Sequence, residues 1–136
     1  MFAVRFFIGF LCLFMISGCI NNDTGQDIEQ ASLPVVRGSE LSAFVENSDL
    51  PVLVEFGVDY QCERCARMRS DIVDLGQRFE GRVNVVRVDY NANAQMVAEL
   101  GGTICPTYVF FKDGKPVQTE SFPTSADMLQ ARLEQL

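Results

Sequence analysis

Cys62 and Cys65, separated by Glu63 and Arg64, are the residues whose type and spacing offer chemistry. Two thiols two residues apart at the start of a helix can close into a disulfide and open again, so the expected chemistry is dithiol exchange. The stretch Pro51-Val52-Leu53-Val54-Glu55-Phe56-Gly57 reads as a buried strand, and Met68, Ile72, Leu75 and Phe79 share one face of the helix that follows. Cys62 is thus expected where a strand end meets a helix N-terminus. Unpaired backbone N–H groups and the positive end of the helix dipole favour a thiolate there, and the thiolate is the attacking species.

The elements that must position this pair alternate. A short strand Pro34-Val35-Val36 is followed by a helix from Ser39 with Leu41, Phe44 and Val45 inward, then by the strand Val52 to Gly57 and a Cys-bearing helix running to about Phe79. Next come a strand Val83 to Asp89, a short helix around Ala94 to Leu100 and a strand Thr107 to Lys112 with Phe110-Phe111 in the core. Asp113-Gly114 turns the chain into a strand Val117 to Ser121, and Ser125 is expected to cap a last helix carrying Leu129 and Leu133. Asn91-Ala92-Asn93 reads as a loop. The pattern implies an α/β fold with a central mixed β-sheet flanked by helices, parallel at crossovers and antiparallel at the last hairpin, with the reactive site at the carboxyl end of a strand.

Composition narrows the chemistry. The chain has 136 residues, 48% of them hydrophobic and 11 of them Phe, enough for one domain with a core. Its formal charge of −7 with no basic stripe argues against nucleic acid as a partner. There is no His, so imidazole bases, His ligands and Cys-His pairs are excluded. A CxxC by itself can be half of a zinc site, but no second CxxC and no His are present to complete one, so no metal and no cofactor is expected at the pair.

Residues 1–18 read as a signal peptide: Arg5, an apolar run from Phe6 to Ile16, then Ser17-Gly18. The run is shorter than the ~20 residues of a spanning helix. Ile16-Ser17-Gly18-Cys19 resembles the lipobox of bacterial lipoproteins, which implies cleavage before Cys19, lipidation of Cys19 and loss of Cys12. Several acyl chains on one residue anchor durably. Residues 19–32 then form the lipidated Cys and a polar, flexible tether with a reach on the order of 20 Å. The folded domain spans 33–136. The implied location is the cell envelope, facing the periplasm, where disulfides persist. Ile20 rather than Asp after Cys19 points to the outer membrane over the inner one in a Gram-negative cell.

Taken together, these segments resemble the thioredoxin family over nearly all of Leu33 to Leu136. The likeness rests on Val52-Leu53-Val54-Glu55-Phe56 before the CxxC, Val86-Arg87-Val88-Asp89, Cys105-Pro106-Thr107 where the family has its cis-proline, and Phe110-Phe111-Lys112-Asp113-Gly114-Lys115. It implies a thioredoxin-like fold and a thiol-disulfide oxidoreductase whose partners are protein thiols or disulfides and an upstream electron donor or acceptor. Cys62 would attack and Cys65 resolve. Glu55 resembles the family's buried acid that accepts the resolving thiol's proton, and Arg87 stands where a basic residue often accompanies it. Pro106 would be cis, with the backbone of Cys105 pairing with substrate. The frame is closer to thioredoxin than to the dedicated oxidases, which favours the reductase direction.

The sequence departs from the family in ways that bear on the redox potential. Gln61 replaces the usual Trp, Glu63-Arg64 replaces Gly-Pro, and Ser70 stands where the helix proline is missing. Arg64 and Arg67 favour a Cys62 thiolate while Glu63 opposes it. Cys105 occupies a position where Ile, Val or Thr is commoner. It is either a small hydrophobe or the third sulfur of a three-thiol site. Two alternatives to exchange therefore stand: a soft-metal (copper) binding or delivery module using Cys62, Cys65 and Cys105, and a tethered interaction domain whose CxxC is a structural disulfide.

Overall fold

The computed structural model describes residues 32–136, so the signal segment, Cys19 and most of the tether lie outside the described residues. Within them, the order is α1 (Gly38–Glu46), β1 (Val52–Gly57), α2 (Glu63–Arg78), β2 (Asn84–Asp89), α3 (Ala94–Glu99), β3 (Thr107–Lys112), β4 (Lys115–Ser121) and α4 (Ala126–Leu133). The strands form one sheet in the order β2-β1-β3-β4. β1 runs parallel to β2 and antiparallel to β3, and β3 pairs antiparallel with β4. The mixed sheet and its flanking helices are those expected from the alternation of strand and helix patterns.

Every residue of β1 is buried, because both of its faces are covered. Successive side chains point to opposite faces. Leu53 joins Met68, Ile72 and Leu75 of α2, Leu129 and Leu133 of α4, and Tyr108 and Phe110 of β3 in one core. Val52, Val54 and Phe56 pack on the other face with Leu41 and Val45 of α1, Val97 of α3 and Phe111. Helix α2 is thus pinned by its whole apolar stripe directly behind the CxxC.

Four local expectations are corrected. The Pro34-Val35-Val36 strand is reduced to a single bridge, Val35 to Arg87, held by two backbone bonds of 2.8 Å. Pro34 has no N–H to give and Val35 is exposed, so nothing drives a longer pairing. Asn91–Asn93 forms a 3-10 turn leading into α3, with Asp89 Oδ1 accepting from the Ala92 N–H at 2.7 Å. Ser125 is the residue before α4, yet its side chain makes no capping bond; burial of Ala126, Leu129 and Leu133 holds the helix instead. β4 begins at Lys115 rather than Val117, and a bulge between Phe110 and Phe111 absorbs the extra residue. The Asp113-Gly114 turn is as expected, with φ of 51° and 73°, the left-handed pair that a two-residue hairpin requires.

Candidate active site

Cys62 is the N-cap of α2, and its Sγ accepts the backbone N–H of Cys65 at 3.1 Å. That is the capping role usually filled by Ser or Asp, and it aims a helix N-terminus at the sulfur. The two cysteines are joined as a disulfide with their Cα atoms 5.2 Å apart. Cys62 is half-buried at the mouth of a cleft, while Cys65, one turn in, is buried. Arg69 fastens the loop before them: its Nη2 donates to the Asp59 carbonyl at 3.1 Å and to the Val58 carbonyl at 3.4 Å. Gln61 enters Cys62 at a φ of 56°, a strained conformation for a side chain with a Cβ.

The Cys105–Pro106 peptide is cis, as the resemblance implied. Cys105 Sγ lies 3.0 Å from Cys65 Sγ and 3.8 Å from Cys62 Sγ, so the three expected sulfurs do meet. Burial pushes the Cys105 thiol up from its ordinary range, and the Glu55 carboxylate adds to the rise. A backbone contact from Val58 and the charge of Arg64 oppose it.

Beneath the sulfurs runs a row of polar groups across the sheet. The register places Glu55 of β1 between Arg87 of β2 and Tyr108 of β3. Glu55 is only 1% exposed. One carboxylate oxygen accepts from Arg87 Nε at 2.6 Å and the other from the Tyr108 hydroxyl at 3.0 Å. Arg87 also reaches Asp59 Oδ1 at 3.0 Å, joining the row to the loop before the CxxC. A strand-end carboxylate in water is excluded; this is a buried acid with two donors, as burial of a charge requires. Burial and the adjacent carboxylate push the Tyr108 phenol far above its usual range.

Residues with no chemical signature complete the surround. Phe122 has a φ of 47° and its backbone N–H donates to the Pro106 carbonyl at 2.8 Å. Its ring lies under the guanidinium groups of Arg64 and Arg67, 5.3 and 5.9 Å from the centroid. Arg64, expected as a tuning charge for Cys62, therefore rests on an aromatic face with its field reaching Cys105. Tyr108, Asp59 and Phe122 were not among the expected site residues. A buried Glu in mid-strand demands partners, which is a signal for Tyr108; no signal marks Asp59 or Phe122.

The thioredoxin family model matches residues 32–135. This chain belongs to the thioredoxin family. It is 37% identical over 83 residues to thioredoxin 1 of Nostoc sp., covering 60% of this chain and 76% of that one. It is 36% identical over 89 residues to the thioredoxin of Porphyra purpurea, covering 65% and 81%. Among solved structures, thioredoxin f2 of Chlamydomonas reinhardtii superposes with a TM-score of 0.67 at 24% identity, over 76% of this chain and 95% of that one. Mitochondrial thioredoxin 3 of Saccharomyces cerevisiae, in its oxidized form, gives 0.66 at 20% identity over the same shares. These two establish the fold. A thioredoxin domain with a CxxC pair at disulfide distance is a protein thiol-disulfide oxidoreductase.

Proposed function

We propose that this thioredoxin-family protein reduces protein disulfides at a membrane to which Cys19 tethers it. The observation carrying the exchange is the Cys62–Cys65 disulfide at the α2 N-cap beside the cis Cys105–Pro106 bond; the direction rests on the likeness to thioredoxin and the tether on the Ile16–Cys19 resemblance to a lipobox. In the forward direction the Cys62 thiolate attacks a substrate disulfide sulfur. That S–S bond breaks, one substrate thiolate leaves and takes a proton, and a mixed disulfide joins Cys62 to the other. Cys65 then gives its proton to Glu55 and attacks Cys62 Sγ, which closes the Cys62–Cys65 bond and releases the second substrate sulfur as a thiolate that takes a proton from water, while Glu55 returns its proton to solvent. Two electrons have passed to the substrate, and an upstream dithiol donor returns them. Arg87 and Tyr108 hold the Glu55 carboxylate in place, and Cys105 and Pro106 supply the backbone against which an extended substrate lies.

Direction and tether each have a test. A reductase requires a potential nearer the thioredoxin value of about −270 mV than the value of about −120 mV of a strong oxidant. Equilibration of the pair with a glutathione buffer reads it, and a value at the oxidising end reverses the direction. For the tether, Cys19→Ala is expected to move the protein from the membrane fraction to the soluble fraction; retention in the membrane removes the lipid from the account.

A further inference from the structure

Cys105 is a third sulfur that the exchange reaction does not use. Its Sγ stands 3.0 Å from Cys65 Sγ and 3.8 Å from Cys62 Sγ, and all three sulfurs lie within 4.8 Å of one another. Among the described residues, no other group of three Cys, Asp or Glu side chains converges in this way.

The direction of approach separates two uses of such a sulfur. To displace Cys62 from the disulfide, Cys105 would attack Cys65 from behind, in line with the S–S bond. With an ordinary S–S length, that alignment puts Cys105 about 5 Å from Cys62. The distance is 3.8 Å, so Cys105 lies beside the bond rather than behind it. The arrangement is a triangle, and a triangle of sulfurs is the donor set of a three-coordinate ion.

We infer that the reduced protein holds one Cu(I) ion on Cys62, Cys65 and Cys105. With metal–sulfur bonds of about 2.3 Å, three sulfurs around a planar ion stand about 4.0 Å apart. Cys62 and Cys105 already have that separation. Once the disulfide is open, Cys65 has to swing about 2 Å outward, away from both Cys62 and Cys105, a side-chain torsion that leaves the backbone in place. Three backbone anchors hold the donors: the α2 N-cap, the first turn of α2 and the cis-proline segment. Donors of sulfur alone select a soft ion, and the chain has no His to recruit a harder one. Zn(II) calls for a fourth ligand that this group does not supply. A cleft lined by Tyr60, Gln61, Cys62, Arg64 and Cys105 gives the ion a path from solvent.

Binding involves no electron transfer: the ion stays Cu(I), the protons still held by the three sulfurs go to solvent and three Cu–S bonds form. Closing the Cys62–Cys65 disulfide removes two of the three ligands. On the exchange reaction proposed above, copper and substrate disulfide then compete for the same reduced site.

The test gives the full-length chain, reduced and freed of reductant under anaerobic conditions, Cu(I) as its bathocuproine disulfonate complex. Loss of the chelate's visible absorbance reports transfer. The reduced wild type is expected to withdraw one more Cu(I) per chain than Cys105→Ser and Cys105→Ala, each at least tenfold weaker, and to lose that ion when the pair is oxidised. Every arm carries the same residues ahead of Cys62, so any copper they take up cancels. Far-UV circular dichroism reports whether each variant is folded, and Cys62→Ser probes the same centre from a second position. Equal withdrawal by wild type and the folded variants overturns the inference. Insulin reduction in metal-free buffer is read separately, so failure of the copper centre and failure of the exchange reaction are distinguishable.

Discussion

Arg87 Nε lies 2.6 Å from Glu55 Oε2 on directly opposed positions of parallel strands, with the two side chains 14% and 1% exposed. Removing one partner of a buried pair leaves the other charge uncompensated, which costs about 3–5 kcal/mol. Arg87→Ala is therefore expected to lower the unfolding free energy by about 3 kcal/mol in urea. The low end applies because Arg87 keeps some contact with water and because Tyr108 still donates to Glu55. A loss below about 1 kcal/mol removes this pair from the supports of the fold.

Tyr108 gives the pH dependence. Its phenol is raised in the folded state, first by burial and then by the Glu55 carboxylate. A folded pKa above the unfolded value of 10.0 contributes stability that is complete below pH 10 and is lost as pH climbs toward the folded pKa. In an ultraviolet titration the Tyr108 tyrosinate should appear only with unfolding. In Tyr108→Phe, the tyrosinate signal that accompanies alkaline unfolding should vanish. A Tyr108 tyrosinate that forms near pH 10 while the protein is still folded would contradict the buried row.

The strands, and the helix that carries the cysteines, were legible because β1 is a continuous apolar run and α2 repeats its buried residues at helical spacing. The polar row was half legible. Glu55 in mid-strand and Arg87 could be picked out, but Tyr108 enters only through the β1–β3 register, which pairs residues far apart in the chain. Register follows from turn geometry and the packing of both faces together. The meeting of Cys105 with the CxxC was foreseen only through the family's cis-proline. Phe122 was invisible because its role depends on a left-handed backbone and on two arginines of another element. The Val35 bridge fell short of a strand because Pro34 offers no N–H and the Val35 side chain is left exposed at the sheet edge.

The order of attack predicts a trap. With Cys65→Ser, the mixed disulfide between Cys62 and a substrate has no resolving thiol and should accumulate as a covalent one-to-one adduct, visible by mass and released by dithiothreitol. Cys62→Ser should form no such adduct through Cys65, which is buried. Adducts through Cys65 in that variant would reverse the assignment of the two cysteines.

Cys105 in the oxidised protein is partly shielded and its thiol is raised, so little thiolate is present at pH 8. Peptide mapping after iodoacetamide treatment should show it modified several-fold more slowly than a free cysteine, with a rate that climbs above pH 9. Rapid modification at pH 8 would mean that the sulfur is more open and more acidic than the structure places it.

The central claim is that the Cys62–Cys65 pair passes electrons to protein disulfides, and reduction of insulin by dithiothreitol tests it most directly. The full-length wild type is expected to shorten the lag before the freed B chain precipitates, while Cys62→Ser leaves the uncatalysed rate. Catalysis that survives Cys62→Ser contradicts the account.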